Sequence, residues 1–202
     1  MKNTKLVKMA QMAILAAIIL VMAFTPIGYI RTGGLEITLI TVPVIIGAIV
    51  MGPAYGAVLG GIFGITSFIQ CFGMSPFGAV LLGINPFYTF IVCFVPRVLM
   101  GYLTGLLFKG LKKVDKTKWI SYGATGLLGA LMNTVFFMGA LLLFFGRTEY
   151  ILNLQQSMNA SNILLFVVAF VGVNGAVEAA ASCVVGAAVS KALDVFLKRS
   201  KV

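Results

Sequence analysis

Arg97 is the one charged residue in the apolar run FIVCFVPRVLMGYL, residues 90–103, and it follows Pro96 directly. A cation near a bilayer centre costs from about 3 to more than 10 kcal/mol, so such a side chain faces a partner, a cavity or a ligand rather than lipid. Its planar fork of donors suits a carboxylate. Helix rise brings two amides to a similar depth. Arg97 lies eleven residues beyond Pro86, about 16 Å along a helix. Asn133 is twelve residues before Phe145 and Asn174 twelve beyond Asn162, each about 18 Å from the same side. Glu178 stands one turn beyond Asn174 on the same helical face, within GVNGAVEAAASC.

Two readings of this polar layer compete. Arg97 and Glu178 neutralise each other and hold helices together, or Arg97 meets a substrate carboxylate while Asn133 and Asn174 hydrogen-bond its hydroxyl or amide groups. The second is preferred, because a buried ion pair adds little stability for its desolvation cost. Pro96 strengthens it: proline frees the carbonyl one turn back, and unsatisfied backbone at membrane depth is tolerated where it lines a cavity. Gln70, Asn85 and the loop CFGMSPFGAVLLGINP are placed at the outer mouth of the layer, with TPIGYIRTGG beside them.

The residue inventory argues against catalysis. There is no histidine, and of five acids only Glu178 sits well inside an apolar segment. Cys71, Cys93 and Cys183 lie singly in apolar runs without C-x-x-C spacing, so they read as small buried hydrophobes and no metal site is expected. No G-x-x-x-x-G-K-[ST] loop occurs, so any ATP-powered step belongs to another subunit. No enzyme activity and no cofactor are expected.

The elements that must position this layer are membrane helices. With 60% hydrophobic and 10% charged residues and a mean hydropathy of +1.08, a soluble domain of 202 residues would expose large apolar patches. The chain reads as all-α, one transmembrane domain over residues 1–202 with six spans at about 8–30, 37–52, 54–72, 86–108, 119–145 and 162–193. A cleavable signal peptide over residues 1–30 is the rival for the first span, but no convincing small-residue cleavage site follows it. Lys2, Lys5, Lys8, Lys109, Lys112, Lys113, Lys116, Lys118, Lys191, Lys198, Arg199 and Lys201 all fall at the N-terminus, in the fourth-to-fifth connection or at the C-terminus. With six spans those regions share one side, which predicts cytoplasmic termini in a cell membrane. The net charge of +10 then reads as orientation and contact with anionic lipid, not nucleic acid.

Small residues mark packing faces. Gly52, Gly56, Gly60 and Gly64 recur every four residues and form a flat stripe, expected to pack within the bundle. Ala10, Ala13 and Ala17 share a face of the first span, with Ala16 alongside; internal packing and contact with another protein are both open.

The order TPIGYI, then ITLITVPVIIGAIVMGPAYGAVLGGIFGITS, behind an alanine-striped first helix, resembles the substrate-binding S components of energy-coupling factor (ECF) vitamin transporters. VPVIIGAIVMGP followed by AYGAVLGGIFG is the most specific part, and it looks closest to the pantothenate members. Where members often carry a His or charged residue two positions before the proline, this chain has Thr41. The resemblance implies a bacterial six-helix protein that captures a vitamin outside, docks on a transmembrane scaffold bound to two ATPases, topples and releases its cargo inside. It places the A-x-x-x-A docking motif at Ala13 and Ala17. The alternatives are an S component for another water-soluble vitamin, or an ion-coupled secondary transporter using Glu178.

Overall fold

Helix ends fall where the sequence removes a donor or demands an unusual backbone. Pro53, Pro76 and Pro86 each open a helix, where a missing N–H costs nothing. Ser75 and Asn85 cap the latter two. Gly52, at φ +106°, breaks the chain between two helices.

The computed structural model describes residues 4–26, 28–32, 35–115 and 119–199, and of these the side chains of all but 4, 5, 29–32, 35–37, 173 and 194–199. Its elements are α1 (Thr4–Ala23), β1 (Tyr29–Thr32), β2 (Leu35–Thr38), α2 (Thr41–Met51), α3 (Pro53–Gln70), α4 (Pro76–Ile84), α5 (Pro86–Val114), α6 (Ile120–Phe145), α7 (Glu149–Ser157) and α8 (Ile163–Arg199). Strands β1 and β2 form an antiparallel hairpin between the first two helices, with Tyr29 opposite Thr38 and Arg31 opposite Glu36. Lys2, Lys116, Lys118 and Lys201, and Ile27 in TPIGYI, lie outside the described residues.

Among the described residues four helical stretches are long and apolar enough to cross a membrane: Leu6–Ala23, Pro86–Val114, Ile120–Phe145 and Asn174–Leu193. The expected second span is different. Residues 37 and 38 finish β2, and α2 is only 11 residues long, about 16 Å, with all but Val50 buried. It is a core helix surrounded by its neighbours, which is why its sequence is apolar all round. The expected sixth span is interrupted at Gly172, whose φ of 37° and ψ of −130° leave the helical region. Two short helices, α4 and α7, were not anticipated from the sequence.

Two apolar clusters organise the body. One gathers Ile19, Ile40, Val44, Ile45, Leu59, Phe63 and Met100 from α1, α2, α3 and α5, with Ile40 just before α2. The other gathers Leu81, Val92, Leu141, Phe145, Ile151 and Phe166 from α4 through α8. Helix α5 contributes to both. Gly56, Gly60 and Gly64 of α3 pack against it as expected, whereas Gly52 lies outside α3 and a Cβ there would meet nothing within 4 Å: a Cβ on Gly60 would collide with the Arg97 carbonyl oxygen, and one on Gly56 with that of Gly101. Backbone therefore touches backbone at the level of Arg97, which fixes where this residue sits.

The alanine stripe faces the other way. Ala10, Ala13 and Ala17 are exposed, while Ile19 and Ala23 carry α1 into the core. Internal packing does not explain that stripe.

Candidate functional site

The site begins with the proline. Pro96 has no N–H, so the carbonyl of Val92, one turn back, loses its helical donor. Arg97 answers it: Nη1 donates to Val92 O at 2.7 Å. The guanidinium lies over two ring faces, 4.6 Å from the Phe137 centroid and 5.4 Å from Phe63. Arg97 is only 8% exposed, and its Nε is buried with no hydrogen-bond partner among the described residues. An unmet buried donor costs about 1–3 kcal/mol, more for a charged group, so this cation is held short of acceptors.

It borders a cavity of about 260 Å³ walled by the second apolar cluster, at the end of the bundle where α3 finishes and α5 begins. Arg97, Asn133, Asn174, Glu178 and Gln70 all line it. Helices α5, α6 and α8 thus bring the expected polar layer together around one void. Asn133, 6% exposed, presents an Oδ1 with no hydrogen-bond partner among the described residues. Gln70 is partly committed, since its Nε2 donates to the Ala23 carbonyl and ties the end of α3 to the end of α1.

Two residues behave otherwise than expected. Asn85 does not line the cavity; its Oδ1 accepts from Tyr88 N at 3.1 Å and caps α5. The sequence pattern Asn-Pro before an apolar run is an ordinary helix start, which accounts for it. Glu178 forms no ion pair with Arg97 among the described residues. Its Oε1 instead accepts from the Thr38 backbone N–H at 2.6 Å, fastening the end of β2 to α8. The mutual-neutralisation reading thus lacks its contact.

Nearby, Thr41 is fully buried, with its hydroxyl 3.2 Å from Thr38 O and 3.4 Å from the Ser182 hydroxyl. A neutral residue here joins the loop to α8, close to the clamp that Glu178 makes.

Other walls were not read from the sequence. Phe137 stacks on Arg97 from a position one turn beyond Asn133, a spacing that puts both on one face of α6. Thr38 reaches the cavity from the hairpin, with no local signal. Gly172 breaks α8 between Val171 and Asn174, both of which line the cavity. Gly172 itself is exposed and is not part of the cavity wall. Phe77, Leu81, Met138 and Phe170 complete an apolar wall. An apolar chamber with a few convergent polar groups suits a small organic molecule carrying an anionic end.

Comparison with known proteins identifies the family of the chain. The family profile described as "ECF transporter, substrate-specific component" matches residues 7–190. A pantothenic acid transporter of Lactococcus lactis subsp. cremoris is 30% identical over 159 residues, covering 73% of this chain and 79% of that protein. A pantothenate transporter of Leuconostoc mesenteroides is 30% identical over an alignment covering 99% of this chain and 98% of the relative. The chain belongs to the substrate-specific component family of the ECF transporters.

Proposed function

We propose that this protein is the pantothenate-binding S component of an ECF importer. The observation that carries the reading is Arg97: a buried guanidinium with an unmet donor, stacked on Phe137 and bordering a cavity of ligand size. Pantothenate has a carboxylate at one end, hydroxyls at the other and an amide between them. Its carboxylate goes to Arg97 as a charge-assisted hydrogen bond. The Asn133 Oδ1 accepts from a hydroxyl or from the amide N–H, and Asn174 supplies a further amide. The Glu178 Oε1 is taken by the Thr38 N–H, and its other oxygen meets a hydroxyl, so the vitamin lies with its carboxylate at Arg97 and its hydroxyls toward Glu178. Gln70 lies on the same wall.

The six apolar segments then form six passes with α2 enclosed, both termini are cytoplasmic, and the cavity faces outward in a bacterial cell membrane. Ala13 and Ala17, exposed on α1, take the transmembrane scaffold that carries two ATPases, the partners that the family implies. Calorimetry with pantothenate on the purified protein, with mass spectrometry of any small molecule that co-purifies, tests the assignment. Saturable binding of pantothenate is expected. No heat with pantothenate, together with a different vitamin in the mass spectrum, would reassign the cargo within the family. Uptake by vesicles holding this chain alone under a pH gradient would favour ion coupling through Glu178.

A further inference from the structure

The cavity holds a pair of groups that vitamin binding does not use. Cys71 follows the last residue of α3, and Cys93 stands one turn before Arg97 on α5. Their sulfurs are 3.8 Å apart, both residues line the cavity, and they are 4% and 6% exposed. Gly78 of α4 lies against the Cys71 sulfur, and an added Cβ there would be 2.6 Å from it. A disulfide bond is about 2.0 Å long, so closure needs an approach of roughly 1.8 Å. Cys71 sits outside the helix interior, in the turn that runs to Gly73 at φ +117°, where a shift of this size disturbs no helix. Cys183 lies on α8 and does not line the cavity.

We propose that Cys71 and Cys93 are an oxidisable dithiol, converted to an intramolecular disulfide by a small dialkyl disulfide that enters the cavity, and shielded when a ligand fills it. The balance is two successive exchanges. The thiolate of one cysteine attacks the reagent RS–SR, forming a mixed disulfide and releasing one RS⁻, which takes up the proton the cysteine lost. The second cysteine attacks the first cysteine's sulfur, closes the Cys71–Cys93 bond and releases the second RSH. The pair is oxidised and the reagent reduced to two thiols. The cavity, about 260 Å³, limits the size of what can enter, so a small disulfide is the class that fits.

The shielding arm rests on the cavity being the pantothenate site; the crosslink does not. The purified full chain is treated with 2-hydroxyethyl disulfide, with and without pantothenate, and followed by intact mass and peptide mapping, while calorimetry on the same sample reports whether pantothenate binds. The expected result is loss of two hydrogens from the intact mass and a peptide joining Cys71 to Cys93. It is absent in Cys71→Ser and in Cys93→Ser and present in Cys183→Ser. At ligand near ten times Kd the link should form about tenfold more slowly, following the unoccupied fraction. Failure of the link to form in the wild-type chain, or a link that survives Cys93→Ser, overturns the proposal. A link formed at one rate with and without calorimetrically bound pantothenate overturns the shielding. A link formed in protein that binds no pantothenate supports the dithiol and removes the vitamin assignment, so the two failures are told apart.

Discussion

Helices α1 and α5 are both apolar enough to cross a membrane, yet the spanning window of α1 is 11% buried and that of α5 is 44% buried. Helix α5 carries the proline, the arginine and Cys93, and it is gripped by the glycine stripe of α3. Helix α1 carries no charge between Lys8 and Ala23 and presents Ala13 and Ala17 outward. Apolar composition alone therefore does not say what a membrane helix is for. Polar residues on a buried helix build a site, and small residues on an exposed one leave a face on which another helix can approach closely.

The comparison breaks most sharply at Arg97. Arg97→Ala removes the proposed partner of an anionic group in a water-poor chamber, where truncating one side of a buried charge pair costs about 2–5 kcal/mol, roughly 30-fold to several thousand-fold in affinity. Pantothenate binding is expected to vanish from calorimetry while the protein still elutes as a single folded species. The Val92 carbonyl is then left without its donor, so some stability is lost as well. Unchanged affinity would remove Arg97 from the site and make α5 merely a better-buried helix than α1.

The opposite outcome is expected on α1. Ala17→Trp, or Ala13→Trp, places a large ring on an exposed face and away from the cavity. Binding of pantothenate by the isolated protein should be unchanged, while uptake by the assembled transporter falls to background. Loss of binding would mean that the first helix supports the cavity directly, and normal uptake would place the docking face elsewhere.

The same contrast explains what could be read without coordinates. Arg97 was legible because charge in an apolar run is expensive, and the freed Val92 carbonyl followed from Pro96 alone. The α3 stripe was legible because four-residue glycine spacing has a direct steric meaning. Three features were not. An apolar segment such as residues 41–51 reads alike whether lipid or protein surrounds it, so the burial of α2 depends on its neighbours. Gly172 is one of 23 glycines, and glycine is common in membrane helices, so nothing marked this one as the break. Thr38 meets Glu178 across 140 residues, a contact set by packing rather than pattern. Phe137 was hidden differently: an aromatic residue in an apolar helix reads as core, and only the direction of the Arg97 side chain gives it a second role.

Asn85 sharpens the comparison at its smallest scale, because it caps α5 and belongs to the helix rather than to the site. Its side chain accepts from Tyr88 N at the exposed end of α5, next to Pro86, and it does not border the cavity. Replacing an N-cap by alanine costs about 1 kcal/mol, which for a chain of this size lowers the midpoint of thermal unfolding by roughly 2–4 °C. Asn85→Ala is therefore expected to lower the midpoint in detergent slightly and to leave pantothenate affinity as it was, with Asn85→Asp restoring the stability because aspartate caps as well. A tenfold loss of affinity in Asn85→Ala that Asn85→Asp does not recover would bring this amide into contact with the ligand, and would mean that the cavity extends to the mouth of α5 when it is filled.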